Sequence, residues 1–199
     1  MVVVIEGRNA GHSGEQESDS ALVAAAQLGS VQAFDMLVAR YYGPVLRYLE
    51  RQIGDVDLAA DLGQETFLDA YRSLDRLIGD RPFAAWLYQI ARNNLRREWR
   101  ARKLRRLISL DWLHERAPDK SPALWQADAS RAVQERDLVQ RALDELNPTL
   151  REVLVLHDLW GFTAKEIGEL LQISPAAAGQ RLNRASQQFR QRHEGLERL

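Results

Sequence analysis

Residues 83 to 106 read FAAWLYQIARNNLRREWRARKLRR, a stretch with no glycine, no proline and no alternation of apolar and polar residues. The pattern predicts one long helix, and the apolar stripe along it is that of an element facing a core. At about 100° per residue, Phe83, Trp86, Leu87, Ile90, Ala91 and Ala101 fall on one side. Arg92, Arg96, Arg100 and Lys103 fall opposite with Gln89, and Tyr88 and Trp99 lie on the flank of that polar side. Residues 92 to 106 hold eight Arg or Lys against one acid, Glu98. Cations in a row meet phosphates, and rings beside them offer stacking surfaces to unpaired bases. The alternative is a solvated charged face with both rings half-buried for packing.

The net charge of -1 looks wrong for a binder of nucleic acid, but the charge is segregated. Residues 55 to 69 carry five acids and no base, which implies one cationic partner and one anionic partner. A length of 199 residues at 45% hydrophobic content fits one domain or two small ones. The absence of cysteine excludes disulfides and thiolate metal sites and fits a cytoplasmic setting. The opening MVVVIEGR has no basic region before its apolar run, and no segment approaches about 18 apolar residues. A signal peptide and a membrane span are therefore not expected.

Taken in order, residues 1–17 read as a flexible leader. Ser18 or Ser20 can cap a first helix that Gly29 ends. Ala33 to Arg51 gives a second, with Phe34, Leu37, Val38, Tyr41, Val45, Leu46 and Tyr48 at helical spacing. After Gly54 and Asp55, a third runs from Val56 to about Leu74 in the phase Leu58, Leu62, Phe67, Leu68, Tyr71. The loop 77–82 then precedes the long helix, since Gly79 permits unusual backbone angles and Pro82 disfavours a helical residue before it. Residues 18–106 make a first helical unit, and 107–130, broken by Pro118 and Pro122, read as a linker.

A second unit covers 131–194, with a tail at 195–199. Asn147 and Pro148 spell the cap and first turn of a helix that Gly161 ends. Thr163 followed by Glu166 spells a capping box for a short helix holding Ile167, Leu170 and Leu171. Ser174 and Pro175 open a last helix to about Arg192, and two helices joined by so short a turn describe a helix-turn-helix. In the last helix Ala178, Leu182, Ala185 and Phe189 share one face. Ala176, Ala177, Gln180, Asn183, Arg184 and Gln187 share the other, a set able to read base edges in a major groove. An ordinary helical hairpin with a polar outer face is the alternative.

These segments resemble the group IV, or extracytoplasmic-function (ECF), sigma factors of the sigma-70 family. The resemblance rests on DLGQETFLDAYR from Asp61, on FAAWLYQIARNNLRREWR from Phe83 and on GFTAKEIGELLQISPAAAGQRLNRA from Gly161, in that order. It implies an all-α protein of two small helical domains, sigma region 2 and sigma region 4, joined by a flexible linker. It implies binding of core RNA polymerase through Asp61, Gln64, Glu65 and Phe67. Recognition and melting of the minus-10 element would fall to Tyr88, Arg92, Asn93, Asn94, Arg96, Trp99, Arg100 and Lys103, with loop 77–82 placed to pocket a flipped base. Reading of the minus-35 element would fall to Thr163, Ala176, Ala177, Gln180, Arg181, Asn183, Arg184 and Gln187. The resemblance also implies an anti-sigma factor as partner, no cofactor and no small-molecule substrate. The chain departs from the family pattern at Gln172, where the turn has Gly, and at Ala177, Ala178 and Gly179, where Thr, Val and Lys are frequent.

A linker of about 25 residues reaches roughly 85 Å fully extended but averages only about 28 Å as a coil. Two promoter elements one and a half to two duplex turns apart need about 50 to 70 Å. The linker must therefore be held extended, for which RNA polymerase is the natural template. A stand-alone helix-turn-helix regulator is the rival reading, and it leaves the acidic 55–69 patch and the basic helix unexplained. No enzyme is expected: His12, His114, His157 and His193 lack metal-ligand spacing, and Asp57 and Asp61 one turn apart are ordinary on an exposed helix.

Overall fold

The computed structural model describes residues 18–79, 81–109 and 127–196. Among them the secondary structure is entirely helical: α1 Asp19–Gln27, α2 Val31–Ile53, α3 Val56–Ser73, a short 3-10 turn Leu74–Arg76, α4 Phe83–Ser109, α5 Ala127–Asp144, α6 Pro148–Trp160, α7 Ala164–Leu171 and α8 Pro175–Leu196. Short polar side chains set the starts. Ser18, Ser30, Asp55, Asn147 and Thr163 each accept a backbone N–H of the first turn, satisfying donors that a helix leaves unpaired. Gly54 and Gly161 take left-handed angles, φ 71° and 72°, to end α2 and α6.

The helices form two units. Helices α1 to α4 close over Leu22, Leu37, Val45, Leu49, Leu87 and Leu95, all essentially inaccessible. Pro44 lies inside α2, where it removes one backbone hydrogen bond, yet the apolar spacing of Leu37, Val45 and Tyr48 carries the helix through it. The second unit packs α5, α6 and α7 around α8, over Leu143, Val153, Leu156, Ile167, Ala178 and Ala185. Gly168 lets the two helices of the helix-turn-helix meet, because a Cβ there would lie 2.9 Å from the Ile173 carbonyl oxygen.

Two boundaries differ from the sequence reading. Helix α4 runs on to Ser109 and α5 begins at Ala127, ahead of Arg131, so both intrude on the stretch 107–130 read as linker. The leader 1–17 and residues 110–126 lie outside the described residues. The phase assigned to α3 was also partly off, since Leu68 and Tyr71 are exposed while Ala59, Thr66 and Ala70 are buried.

The units are packed together. Helix α6 lies along α2 and against the first half of α4, and Trp160 stacks on Phe162 at 5.9 Å with Tyr41 and Tyr88 both about 6 Å away. Further along, Arg51 donates to the Gln140 side-chain oxygen at 3.3 Å and Arg151 to the Gln52 backbone oxygen at 3.4 Å.

Candidate nucleic-acid interface

The outward stripe of α4 divides into three sets of cations. Arg97 pairs with Glu65 of α3, and Arg102 reaches Asp55 at 3.5 Å and Glu98 at 3.0 Å. Arg105 also takes Glu98, at 2.6 Å. Arg96, Arg100 and Lys103 are exposed and form no ion pair among the described residues. They fall at i, i+4 and i+7, one continuous line of positive charge, with Asn93 exposed at its head and Trp99 42% exposed beside it. A row of unpaired cations with a half-exposed indole next to it has the chemistry suited to a phosphate chain and a stacked base.

Arg92 belongs to neither group. Its Nε donates at 2.6 Å to Glu152 of α6, which also accepts the Tyr88 hydroxyl at 2.9 Å. Burial alone opposes the Arg92 charge, but the hydrogen bond and the Glu152 carboxylate more than offset it, so its pKa rises above the ordinary value. Burial, with Tyr48 and Glu152 nearby, pushes the Tyr88 hydroxyl well above its usual range, leaving it a neutral donor.

Three residues that the sequence assigned to contact surfaces have buried side chains. Tyr88 was placed on the flank of the polar stripe but is fully inaccessible, edge-on to Tyr48 at 5.2 Å, because α6 covers that flank. Asn94, two helical turns from Leu87, shares its inward face and donates to Asp69 of α3 at 3.1 Å. Phe67 points into the first unit and stacks with Tyr42 at 6.0 Å. The acidic stretch is likewise partly spent within the fold: Asp55, Glu65 and Asp69 hold α4, and Asp57, Asp61 and Gln64 are left on the exposed face of α3. Loop 77–82 buries Leu77 and exposes Ile78, while Asp80 lies outside the described residues.

The helix-turn-helix has the expected faces. Ala176, Gln180, Asn183, Arg184 and Gln187 are exposed, and Ala177 and Arg181 are partly so. Ala178, Ala185 and Phe189 pack inward. Thr163 and Glu166 form the reciprocal capping box, with the carboxylate 2.8 Å from the Thr163 nitrogen. The turn is made by Gln172 in the left-handed region at φ 57°. Sequence reasoning missed Glu152, whose partners lie 60 and 64 positions away. It also missed Gly168, although a glycine inside a short amphipathic helix was the signal for a close approach.

Among the described residues no His, Cys, Asp and Glu cluster could hold a metal ion, and no helix is long and apolar enough to cross a membrane. Residues 37–105 match the family described as Sigma-70 region 2, and residues 136–189 match Sigma-70, region 4. The ECF RNA polymerase sigma-E factor of Escherichia coli is 31% identical over 176 residues, covering 86% of this chain and 92% of that one. The solved structure of CnrH in complex with the cytosolic domain of CnrY superposes with a TM-score of 0.63 at 29% identity, covering 87% of this chain and 95% of its own. The sigma factor RpoE of Bartonella quintana, solved with the anti-sigma factor NepR, shares the fold at a TM-score of 0.66 and 20% identity, over 82% and 98% of the two chains. Paired acids and bases between α3 and α4, an open line of cations on α4 and a helix-turn-helix with a polar reading face thus occur in the order of regions 2 and 4, and the chain belongs to the sigma-70 family as an ECF sigma factor.

Proposed function

We propose that this sigma factor docks on core RNA polymerase through the exposed α3 face and directs initiation in the cytoplasm by reading two promoter elements with its two units. The observation that carries the reading is the line Arg96, Arg100 and Lys103 with Trp99 beside it, on the same chain as an exposed Gln180, Asn183, Arg184 and Gln187. In the first unit the three cations take phosphates of the minus-10 region while Asn93 and Trp99 meet the opened strand. Asn94 supports that surface from beneath by fixing α4 on α3. Flipping a base costs a few kcal/mol, which stacking on an aromatic ring largely offsets. In the second unit the start of α8 enters the major groove of the minus-35 element, where small Ala176 and Ala177 allow close approach and Gln180, Arg181, Asn183, Arg184 and Gln187 present donors to base edges and phosphates. Thr163 lies exposed at the start of α7, where a phosphate competes with the Glu166 carboxylate for its hydroxyl.

For core binding, Asp61 and Gln64 make direct contacts, Glu65 contributes charge while holding Arg97, and Phe67 supports the face from within. An anti-sigma factor restrains the protein, as support for which the Bartonella quintana relative of the same fold is held by one.

Run-off transcription with core polymerase on a promoter library tests the reading. Asp61→Lys is expected to lower promoter-specific transcript at least about tenfold, since a like charge replaces an attractive one at an interface. Undiminished transcription by Asp61→Lys would remove the α3 face from core binding. Sequence-specific duplex binding by the chain alone, without any affinity for core, would favour the stand-alone regulator.

A further inference from the structure

Helix α1 lies ahead of residues 37–105, the span matched to region 2, yet its last turn reaches the loop that leads into α4. Leu22, Val23 and Ala26 seat α1 on the core of the first unit, which leaves Gln27 on its outer edge. The Gln27 side-chain nitrogen donates to the Leu74 carbonyl oxygen at 2.9 Å and to the Leu77 carbonyl oxygen at 3.0 Å. A glutamine amide has two N–H donors, and both are spent here on backbone 47 and 50 positions away. The Leu74 oxygen also accepts the Leu77 N–H at 3.0 Å, so the 3-10 turn and the entry of loop 77–82 close around a single side chain.

Beyond that tether the loop is open. Leu77 is buried, while Ile78, next along, is 81% exposed. Gly79 takes φ 77° with nothing within 4 Å of where a Cβ would stand. At the far end Pro82 offers its carbonyl to the Trp86 N–H, which starts α4. The loop is thus held at its exit by α4 and at its entry by Leu77 and Gln27. Two hydrogen bonds at the rim of the core add little to global stability, since water offers the same groups partners, but they narrow the angles open to the Leu77 carbonyl. A site carried on a loop depends on such supports for its shape.

We propose that Gln27 is a positioning residue for minus-10 recognition: it fixes the entry of the loop, Leu77 to Gly79, and so sets how sharply one promoter base is discriminated, an assignment that rests on the reading of loop 77–82 as the pocket for a flipped base. A flipped base is read by hydrogen bonds and close packing in a snug pocket, and both weaken when a wall of it shifts by about 1 Å. Gln27 acts through the backbone and needs no contact with the strand. The chemistry required at position 27 is a donor on a long side chain. Lysine supplies one, leucine supplies none, and glutamate turns acceptors toward two carbonyl oxygens.

The test reconstitutes the full-length chain with core polymerase and reads run-off transcription from promoters that differ by single bases in the minus-10 element. The ratio between promoters is the readout, because loss of folded protein or a general change in DNA affinity scales all of them together and cancels. Gln27→Leu is expected to reduce the preference at one minus-10 position by about fivefold, the scale of a single mismatched base pair, and to leave the other positions within about twofold. Gln27→Glu is expected to do the same, and Gln27→Lys to keep the wild-type preference. In the chain without polymerase, Gln27→Leu is expected to raise amide hydrogen exchange about tenfold across residues 77–79 and to leave 22–26 unchanged. Base preferences or loop exchange that Gln27→Leu leaves intact, a relaxation spread evenly over every position, or a Gln27→Lys variant as relaxed as Gln27→Leu would each overturn the assignment while the wild-type preferences stand. A wild-type chain with no preference at any minus-10 base would instead strike the functional reading, and the assignment with it.

Discussion

Gly168 and Gly179 lie eleven residues apart in the helix-turn-helix and have opposite environments. A Cβ at Gly168 would lie 2.9 Å from the Ile173 carbonyl oxygen and 3.2 Å from the Pro175 nitrogen, both backbone atoms that cannot step aside. Nothing lies within 4 Å of a Cβ at Gly179. Gly168→Ala is therefore expected to destabilise by about 1 to 3 kcal/mol, as overpacking does, while Gly179→Ala stabilises by up to about 1 kcal/mol through helix propensity. Denaturant melts of the two variants check both signs. Gln172→Gly is expected to be neutral or stabilising by up to about 1 kcal/mol, since a non-glycine residue at φ 57° is strained. At this scale the sequence showed which residue types carry chemistry and misjudged which of them face outward. Asn94 and Phe67 were assigned by resemblance, whereas their angular positions, Asn94 in step with Leu87 and Phe67 in step with Gly63 and Ala70, decide that they point inward.

Whole elements were far more legible, because capping is local: the oxygen that starts a helix lies within three residues of the N–H it accepts. Ser18, Asn147, Thr163 and Ser174 all act as their spelling implies. The Thr163–Glu166 box has a pH signature. The Thr163 backbone N–H, and then its hydroxyl, lower the Glu166 pKa below the ordinary carboxyl value. A lowered folded-state pKa means that the contribution to stability is present above the unfolded value, about 4.3, and is lost as the pH falls through the folded one. Thermal melts of Glu166→Gln are expected to fall below wild type at neutral pH and to converge with it near about pH 3. Charge pairing between α3 and α4 was not legible, because it requires the register of two helices: the sequence showed five acids and eight bases, and only the packing matches Glu65 with Arg97 and Asp55 with Arg102. It follows that Glu65→Lys is expected to loosen α4 from α3, while Asp61→Lys leaves stability within about 0.5 kcal/mol of wild type. Chemical denaturation of both variants separates a docking residue from a pairing one.

For the molecule as a whole, the division into two units was readable from the Pro-containing stretch between them, and the joint was not, since it is built from contacts 60 to 90 positions apart whose partners share no local pattern. The joint also sets an order in time. A strand binding α4 as proposed would meet Arg96, Arg100 and Lys103 first, in an encounter governed by phosphate attraction and therefore weakened by salt. Arg92 and Tyr88 are covered by α6, so contact with them would wait on region 4 leaving, which the aromatic packing around Trp160 and the mostly buried Arg92–Glu152 pair, only weakly screened by salt, both oppose. Stopped-flow binding of a single strand is expected to resolve a fast phase that slows steeply between about 50 and 200 mM salt and a slower one that does not, so that half the stripe acts as the landing site and the other half as a clock.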